Sequence, residues 1–239
     1  MKKTFIILIS VLLGMNHHLN AKNMESLDKK QQTIVVIAAH TAAGNPDALK
    51  TGLSKGLDVG LTVNQIKEIL VHLYAYTGFP RSLQGINTFM TVLNERKAKG
   101  IHNETGADAS PITDPRDKYA RGKENLEKLT GRHETQITGA NAFAPAIDQF
   151  LKEHLFADIF ERDVLTFQER ELVTISALSA MKGVEPMLQS HINMGMNTGL
   201  TEKQLDEVMT LIGSAIDTGQ EKTGRQLLKQ VTESRNNKQ

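Results

Sequence analysis

The feature that most limits what this chain can fold into is an internal repeat. Leu27 to Val92 aligns without a gap onto Thr166 to Val231 at a constant offset of 139 positions. Between Gly44 and Glu68, eight of 25 positions are identical: Gly44/Gly183, Leu49/Leu188, Gly56/Gly195, Gly60/Gly199, Leu61/Leu200, Thr62/Thr201, Gln65/Gln204 and Glu68/Glu207. Self-similarity at one fixed offset marks a supersecondary unit used twice.

Each copy reads as three helices. The first, Thr33 to Ala43 or Glu169 to Met181, is apolar or small on nearly every face and is expected to be buried. A break follows at Gly44-Asn45-Pro46 or Gly183-Val184-Glu185-Pro186, where Gly ends one helix and Pro opens the next. The second helix runs to Gly60 or Gly199. The third opens with Thr62-Val-Asn-Gln65 or Thr201-Glu-Lys-Gln204, a T-x-x-Q pattern whose Thr and Gln side chains satisfy first-turn amides. Ile66, Ile69, Leu70 and Leu73, matched by Leu205, Val208, Met209 and Ile212, then recur at helical spacing. Lys99 to Arg116 is rich in Gly, Asp, Asn and Pro and reads as a linker. Two more helices are expected at Asp117–Leu129 and Pro145–Phe160, and no stretch alternates like a strand. The predicted fold is all-α, two related helical bundles, with repeat 1 over 22–98, a linker over 99–116, and repeat 2 with its N-terminal helices over 117–239.

Ahead of the repeats, Lys2 and Lys3 precede an apolar run from Phe5 to Met15, and Leu19-Asn20-Ala21 ends in a small residue. This reads as a secretory signal peptide over residues 1–21. The run, about 11 residues, is too short for a spanning helix, which takes roughly 20. Cleavage after Ala21 would lower Lys plus Arg from 28 to 26 against 27 Asp plus Glu. The expected product is periplasmic or secreted, with no membrane attachment. So even a charge balance carries no basic field for a nucleic-acid partner.

The absence of any Cys removes disulfides, thiolate zinc sites, iron–sulfur clusters, thiol peroxidase chemistry and cysteine nucleophiles together. Catalysis, if present, runs on oxygen and nitrogen groups. No His pair shows H-x-x-x-H or E-x-x-H spacing, so no metal centre is expected. Glu171 and His191 stand out instead. Glu171 opens a nearly all-apolar helix, where burial would raise a carboxyl pKa, and His191 follows on the next helix in Pro186-Met-Leu-Gln-Ser-His191. They read either as an acid–base pair or as a first-turn acid favoured by the helix dipole beside an unrelated histidine. A strictly antiparallel hairpin turning near Val184 leaves Glu171 roughly 20 Å and His191 roughly 10 Å from the turn, so contact requires steep crossing or a partner helix. Copy one has Gln32 and Gly52 at the matching positions, so only copy two can hold the pair. Copy one instead carries Tyr74-Ala-Tyr76-Thr-Gly78-Phe79-Pro80-Arg81, read as a helix end and turn: its rings, Tyr76 among them, would wall a pocket and Arg81 would clamp a carboxylate, or both serve core and cap.

Glu171-Leu-Val-Thr-Ile-Ser-Ala-Leu, Gly183-Val-Glu-Pro-Met-Leu-Gln-Ser-His191 and Asn197-Thr-Gly-Leu-Thr201 together resemble the carboxymuconolactone decarboxylase family. The lead-in Tyr119-Ala-Arg121-Gly122 to Gly131, Phe150-Leu-Lys-Glu-His-Leu-Phe156 and Tyr76-Thr-Gly-Phe-Pro80 are similar to that family as well. The likeness extends over about residues 27–97 and 117–231. It implies the compact all-α fold of alkylhydroperoxidase D-like proteins and, for a tandem chain, a homotrimer. It implies decarboxylation or isomerisation of a small carboxylate or lactone without a cofactor, with Glu171 and His191 moving protons and Arg81, Arg170 or Arg225 binding carboxylate. Peroxidase members of the family carry C-x-x-C where this chain has Val184 and Met187, so that activity is not expected. Copy two also lacks the aromatic-Gly-Phe-Pro closure. The alternative to an enzyme is a non-catalytic helical binding or assembly module that keeps the fold.

Overall fold

The computed structural model describes residues 26–237; the segment read as a signal peptide lies outside them. Repeat 1 begins with α1 (Lys29–Ala43), where Asp28 and Gln31 cap each other's amides and Gly44, at φ 70°, closes the helix. Pro46 opens α2 (Pro46–Asp58), and the expected Thr62/Gln65 box opens α3 (Val63–Ala98). Repeat 2 follows the same plan in α7 (Phe167–Ser179), α8 (Glu185–Asn197), α9 (Glu202–Ala215) and α10 (Thr218–Asn236), with Thr201/Gln204 repeating the box. Between the repeats come α4 (Lys118–Thr130), the short α5 (Gly139–Phe143) and α6 (Pro145–Gln149), and a π-wound segment, π1 (Phe150–Ile159). The described residues are all-α, with no strand.

Each copy therefore has four helices rather than three. In copy one, Gly78 (φ 76°, ψ 163°) breaks α3, and a new helical stretch resumes at once. Pro80 stands in the first turn of that stretch, where a missing N–H leaves no bond unmade. In copy two the same break falls at Ile216 and Asp217, and Asp217 caps α10. The Gly-Phe-Pro turn is thus a hinge between two helices and not the end of the unit.

α1 and α7 lie side by side at the centre, α3 reaches across to α7, and α9 reaches across to α1. Ile34, Ile37, Ile66 and Ile69 of one copy join Leu172, Ile175, Leu205 and Val208 of the other in one shared core. A smaller apolar cluster, with Leu129, Phe156, Phe160 and Met194 among its members, fastens α4 and π1 onto α8. The linker is tied down as well: the backbone N–H groups of Val63 and Asn64 donate to the carbonyls of Glu104 and Thr105, each at 2.9 Å, satisfying amides that the first turn of α3 leaves open.

Candidate active site

Where α3 of copy one crosses α7 of copy two, the interface is polar although buried. Glu68, His72 and Tyr76 are spaced four residues apart on α3, and Arg170 and Thr174 are spaced four apart on α7, so each set forms one stripe. Arg170, Glu171 and Thr174 are fully buried, as is His72. Arg170 Nη2 donates to Glu68 Oε1 at 2.8 Å and to the Arg162 carbonyl at 2.5 Å. Arg162 Nε meets both Glu68 oxygens at 3.0 Å from the solvent side. Two guanidinium groups thus compensate one carboxylate that is itself almost fully buried.

His72 has one tautomer open to it. Arg170 Nη1 lies 3.3 Å from His72 Nδ1, and a guanidinium only donates, so Nδ1 accepts. Nε2 therefore carries the proton and donates to Thr174 Oγ1 at 2.8 Å, while Thr174 donates to the Arg170 carbonyl at 2.9 Å. Burial, and then the Arg170 charge, hold the His72 pKa well below its ordinary value, so the ring is neutral.

Above this ladder, Glu171 and His191 meet within one chain, with His191 Nδ1 2.8 Å from Glu171 Oε2. Ala180 to Val184 is a non-helical connection, so the simple hairpin distances do not apply and α8 comes back alongside α7. Gly195 allows the close approach. A Cβ at that position would press into Ile175 and Leu200 and stand 3.9 Å from the Glu171 Cβ. His191 lies one turn earlier on the same face. The Tyr76 ring stands edge-on to His191 with centroids 5.4 Å apart, and it leans on His72 at 5.2 Å. The Tyr76 hydroxyl pKa is driven upward by burial first and by the Glu171 charge second, so the hydroxyl keeps its proton and is a donor.

Four buried side-chain polar atoms among the described residues have no hydrogen-bond partner, and three belong to this cluster: Tyr76 Oη, Glu171 Oε1 and Arg170 Nε. A donor and an acceptor left without partners beside one imidazole set this cluster apart from an ordinary buried interface, because buried polar groups are normally satisfied. His191 Nε2 has no protein partner either, and it is not among the sealed atoms. It is the ring nitrogen of the pair that the protein leaves without a partner.

The remaining candidates separate clearly. Tyr76 belongs to the site. Arg170 borders it, but its Nη groups are engaged with Glu68, Arg162 and His72 rather than open to a substrate carboxylate. Arg81 lies against Gly44 at the C-terminal end of α1. Its counterpart Gln220 sits at the matching place in copy two, donating to the carbonyls of Ser179 and Met181 at the end of α7. A cation there favours the helix dipole and does not face the dyad. Arg225 pairs with Asp206 and Glu221 and donates to Thr210 between α9 and α10. Sequence reasoning passed over His72, Glu68 and Thr174, although the four-residue spacing of Glu68, His72 and Tyr76 was there to be read.

The sequence profile of the carboxymuconolactone decarboxylase family matches residues 11–88 and 145–230, one stretch over each repeat, the first beginning within the segment read as a signal peptide. An uncharacterized protein of Methanocaldococcus jannaschii is 25% identical over 72 residues, which is 30% of this chain and 67% of that protein.

Proposed function

The chain belongs to the carboxymuconolactone decarboxylase family, and from that premise we propose that it performs cofactor-free acid–base chemistry, decarboxylation or isomerisation, on a small carboxylate or lactone. The observation that carries this reading is the 2.8 Å Glu171–His191 contact set beside the unpartnered Tyr76 hydroxyl and Glu171 Oε1. Glu171 orients the imidazole and stabilises its protonated form. His191 Nε2 exchanges a proton with substrate carbon, and the Tyr76 hydroxyl donates to the carbonyl oxygen on which negative charge develops. In a decarboxylation the electron pair of the breaking C–C bond passes into that carbonyl, carbon dioxide leaves, and His191 returns one proton to carbon. In an isomerisation the same imidazole removes a proton and replaces it elsewhere. With no Cys in the chain, thiol peroxidase chemistry has no nucleophile.

Export and a homotrimeric assembly belong to the same proposal. In favour of assembly, Phe79, Leu83 and Met90 project from one side of the distal part of α3 and are each more than half exposed, a stripe that a neighbouring subunit would cover. The deciding experiment incubates the purified protein with small lactones and unsaturated acids in deuterated water and follows carbon-bound proton exchange by NMR. Exchange that disappears in both Glu171→Gln and His191→Ala supports the enzyme; unchanged rates in both variants leave a binding or assembly module.

A further inference from the structure

A cleft opens on the far side of α8, between the end of α4 and α10, with a volume of about 290 Å³. That is the lower end of the size range of small-molecule sites. Its wall holds Arg132, Asn193, Gln230, Ser234 and Arg235, and no carboxylate. Glu171 and His191 are not part of it, because the same helix turns His191 toward α7.

Arg235 is held by neutral oxygens. Its Nη1 donates to Asn193 Oδ1 and Asn197 Oδ1, each at 2.8 Å. Nε and Nη2 find no acceptor among the described residues and are not sealed in the interior. These two nitrogens form the edge that receives a carboxylate or phosphate side-on through parallel bonds. The acids closest to the cleft in sequence are engaged elsewhere. Glu127 contacts His133 at 3.0 Å, Glu134 contacts the buried Lys152 at 2.6 Å, and Glu233 is 3.8 Å from Lys229. Arg132 has no acidic partner among the described residues. Gln230 accepts from Gln189 through its oxygen, which leaves its amide N–H groups to donate.

We propose that this cleft binds a small dianion, a dicarboxylate or a phosphate, which bridges Arg235 and Arg132 and takes neutral donors from Gln230, Asn193 and Ser234. Two cations without counter-charges, one of them already locked in orientation by amide oxygens, give the cleft both the sign and the geometry for this ligand. The proposal is independent of the chemistry assigned to the dyad.

The test is calorimetric titration of the purified protein with succinate and, separately, with inorganic phosphate in a chloride buffer, with neutral succinamide as control. One-site saturable binding of at least one dianion is expected, and the tighter of the two identifies the acid group the cleft prefers. Arg235→Gln should weaken it roughly tenfold or more, since charged hydrogen bonds are lost, and Arg132→Gln should weaken it less. Arg235→Lys should retain part of the affinity, because it keeps the charge and loses the fork. Glu171→Gln and His191→Ala should bind as the parent does. Absence of saturable binding by either dianion overturns the proposal, as does affinity unchanged in both arginine variants or lost in the dyad variants. Helicity by circular dichroism accompanies each variant; if Arg235→Gln fails to fold, Arg132→Gln on its exposed loop carries the decision.

Discussion

The repeat builds the same junction twice and fills it differently. In one, α3 crosses α7 with Glu68, His72 and Tyr76 facing Arg170, Thr174 and the Glu171–His191 dyad. In the other, α9 crosses α1, and the matching positions are Glu207, Leu211 and Ala215 against Gln31, Val35, Gln32 and Gly52. The acid common to both, Glu68 or Glu207, meets two guanidinium groups in the first junction. In the second it meets the neutral Gln32 amide at 2.9 Å and the Leu27 N–H at 2.9 Å. Gly52 has no side chain to bring an imidazole to α1, although an added Cβ there would make only ordinary contact with Val36 and Ile37. Duplication lets the two junctions diverge: the second is filled by neutral and apolar groups, and the first carries a buried charge ladder with three of the four unpartnered buried polar atoms among the described residues.

The largest expected effect falls on the dyad, because that is where the junctions differ in chemistry. Glu171→Gln and His191→Ala should each lower turnover about 100- to 10,000-fold, the range of a lost positioned acid–base group, with helicity intact. The check is single-turnover exchange kinetics beside circular dichroism. Gln32→Ala, the equivalent change in the other junction, should leave the rate within twofold of the parent.

Arg170→Met tests the charge difference. Removing one partner of a buried pair leaves a charge uncompensated, and with Arg162 still in place the cost should sit near the low end, about 3 kcal/mol, read as a fall in the urea midpoint. Pairing it with Glu68→Gln should restore part of the loss, since the stranded carboxylate is then gone. Full additivity of the two changes would mean that the pair contributes no coupling.

Much of this contrast was open to inspection in the chain itself. The offset of 139 located both copies, the T-x-x-Q boxes opened α3 and α9 where expected, and Glu171 with His191 against Gln32 with Gly52 showed which copy holds the dyad. The fourth helix of copy one was missed because a Gly followed by Phe-Pro has the same local chemistry whether a helix stops or restarts, and that of copy two because its Asp217 cap was not read as a helix start. Arg81 and Arg225 were chosen by charge type, and charge does not say which neighbour a long side chain meets. The ladder from Glu68 to Thr174 joins residues about 100 positions apart, so its stripes were visible on each helix while their pairing was not.

Tyr76→Phe probes the unpartnered hydroxyl. Turnover should fall roughly tenfold, the worth of one hydrogen bond to developing charge, while stability holds or rises by about 1 kcal/mol because a buried donor without a partner is removed. A stability loss above 1 kcal/mol would show that the hydroxyl is satisfied in the resting protein. No such signal is available from Ala215 in the other junction.

The pH dependence sharpens the contrast further. His72 stays neutral in the folded chain, whereas the unfolded chain takes up a proton near the ordinary imidazole value of 6.5. Below that pH the unfolded state binds more protons, so stability falls as the solution is acidified, at up to about 1.4 kcal/mol per pH unit for one such group. His72→Gln should flatten part of the melting-temperature loss between about pH 7.5 and 5.5; a residual slope remains from His40, whose pKa burial also lowers. An unchanged slope would mean that His72 is solvated enough to protonate in the native state.

The smallest effect belongs to the quieter junction. Gln32→Ala removes a half-buried amide that bridges the Leu27 carbonyl and Glu207, but Glu207 keeps the Leu27 N–H and access to water. The expected cost is about 1 kcal/mol or less, the net worth of a hydrogen bond whose partner can be resolvated. Gln32→Leu should cost no more, because an apolar side chain suits the neighbouring core. If either change instead costs as much as Arg170→Met, the two acids are equally dependent on their partners and the division of labour between the junctions fails. The urea midpoints of these three variants, measured side by side, decide between a junction specialised for charge and a pair of interchangeable seams.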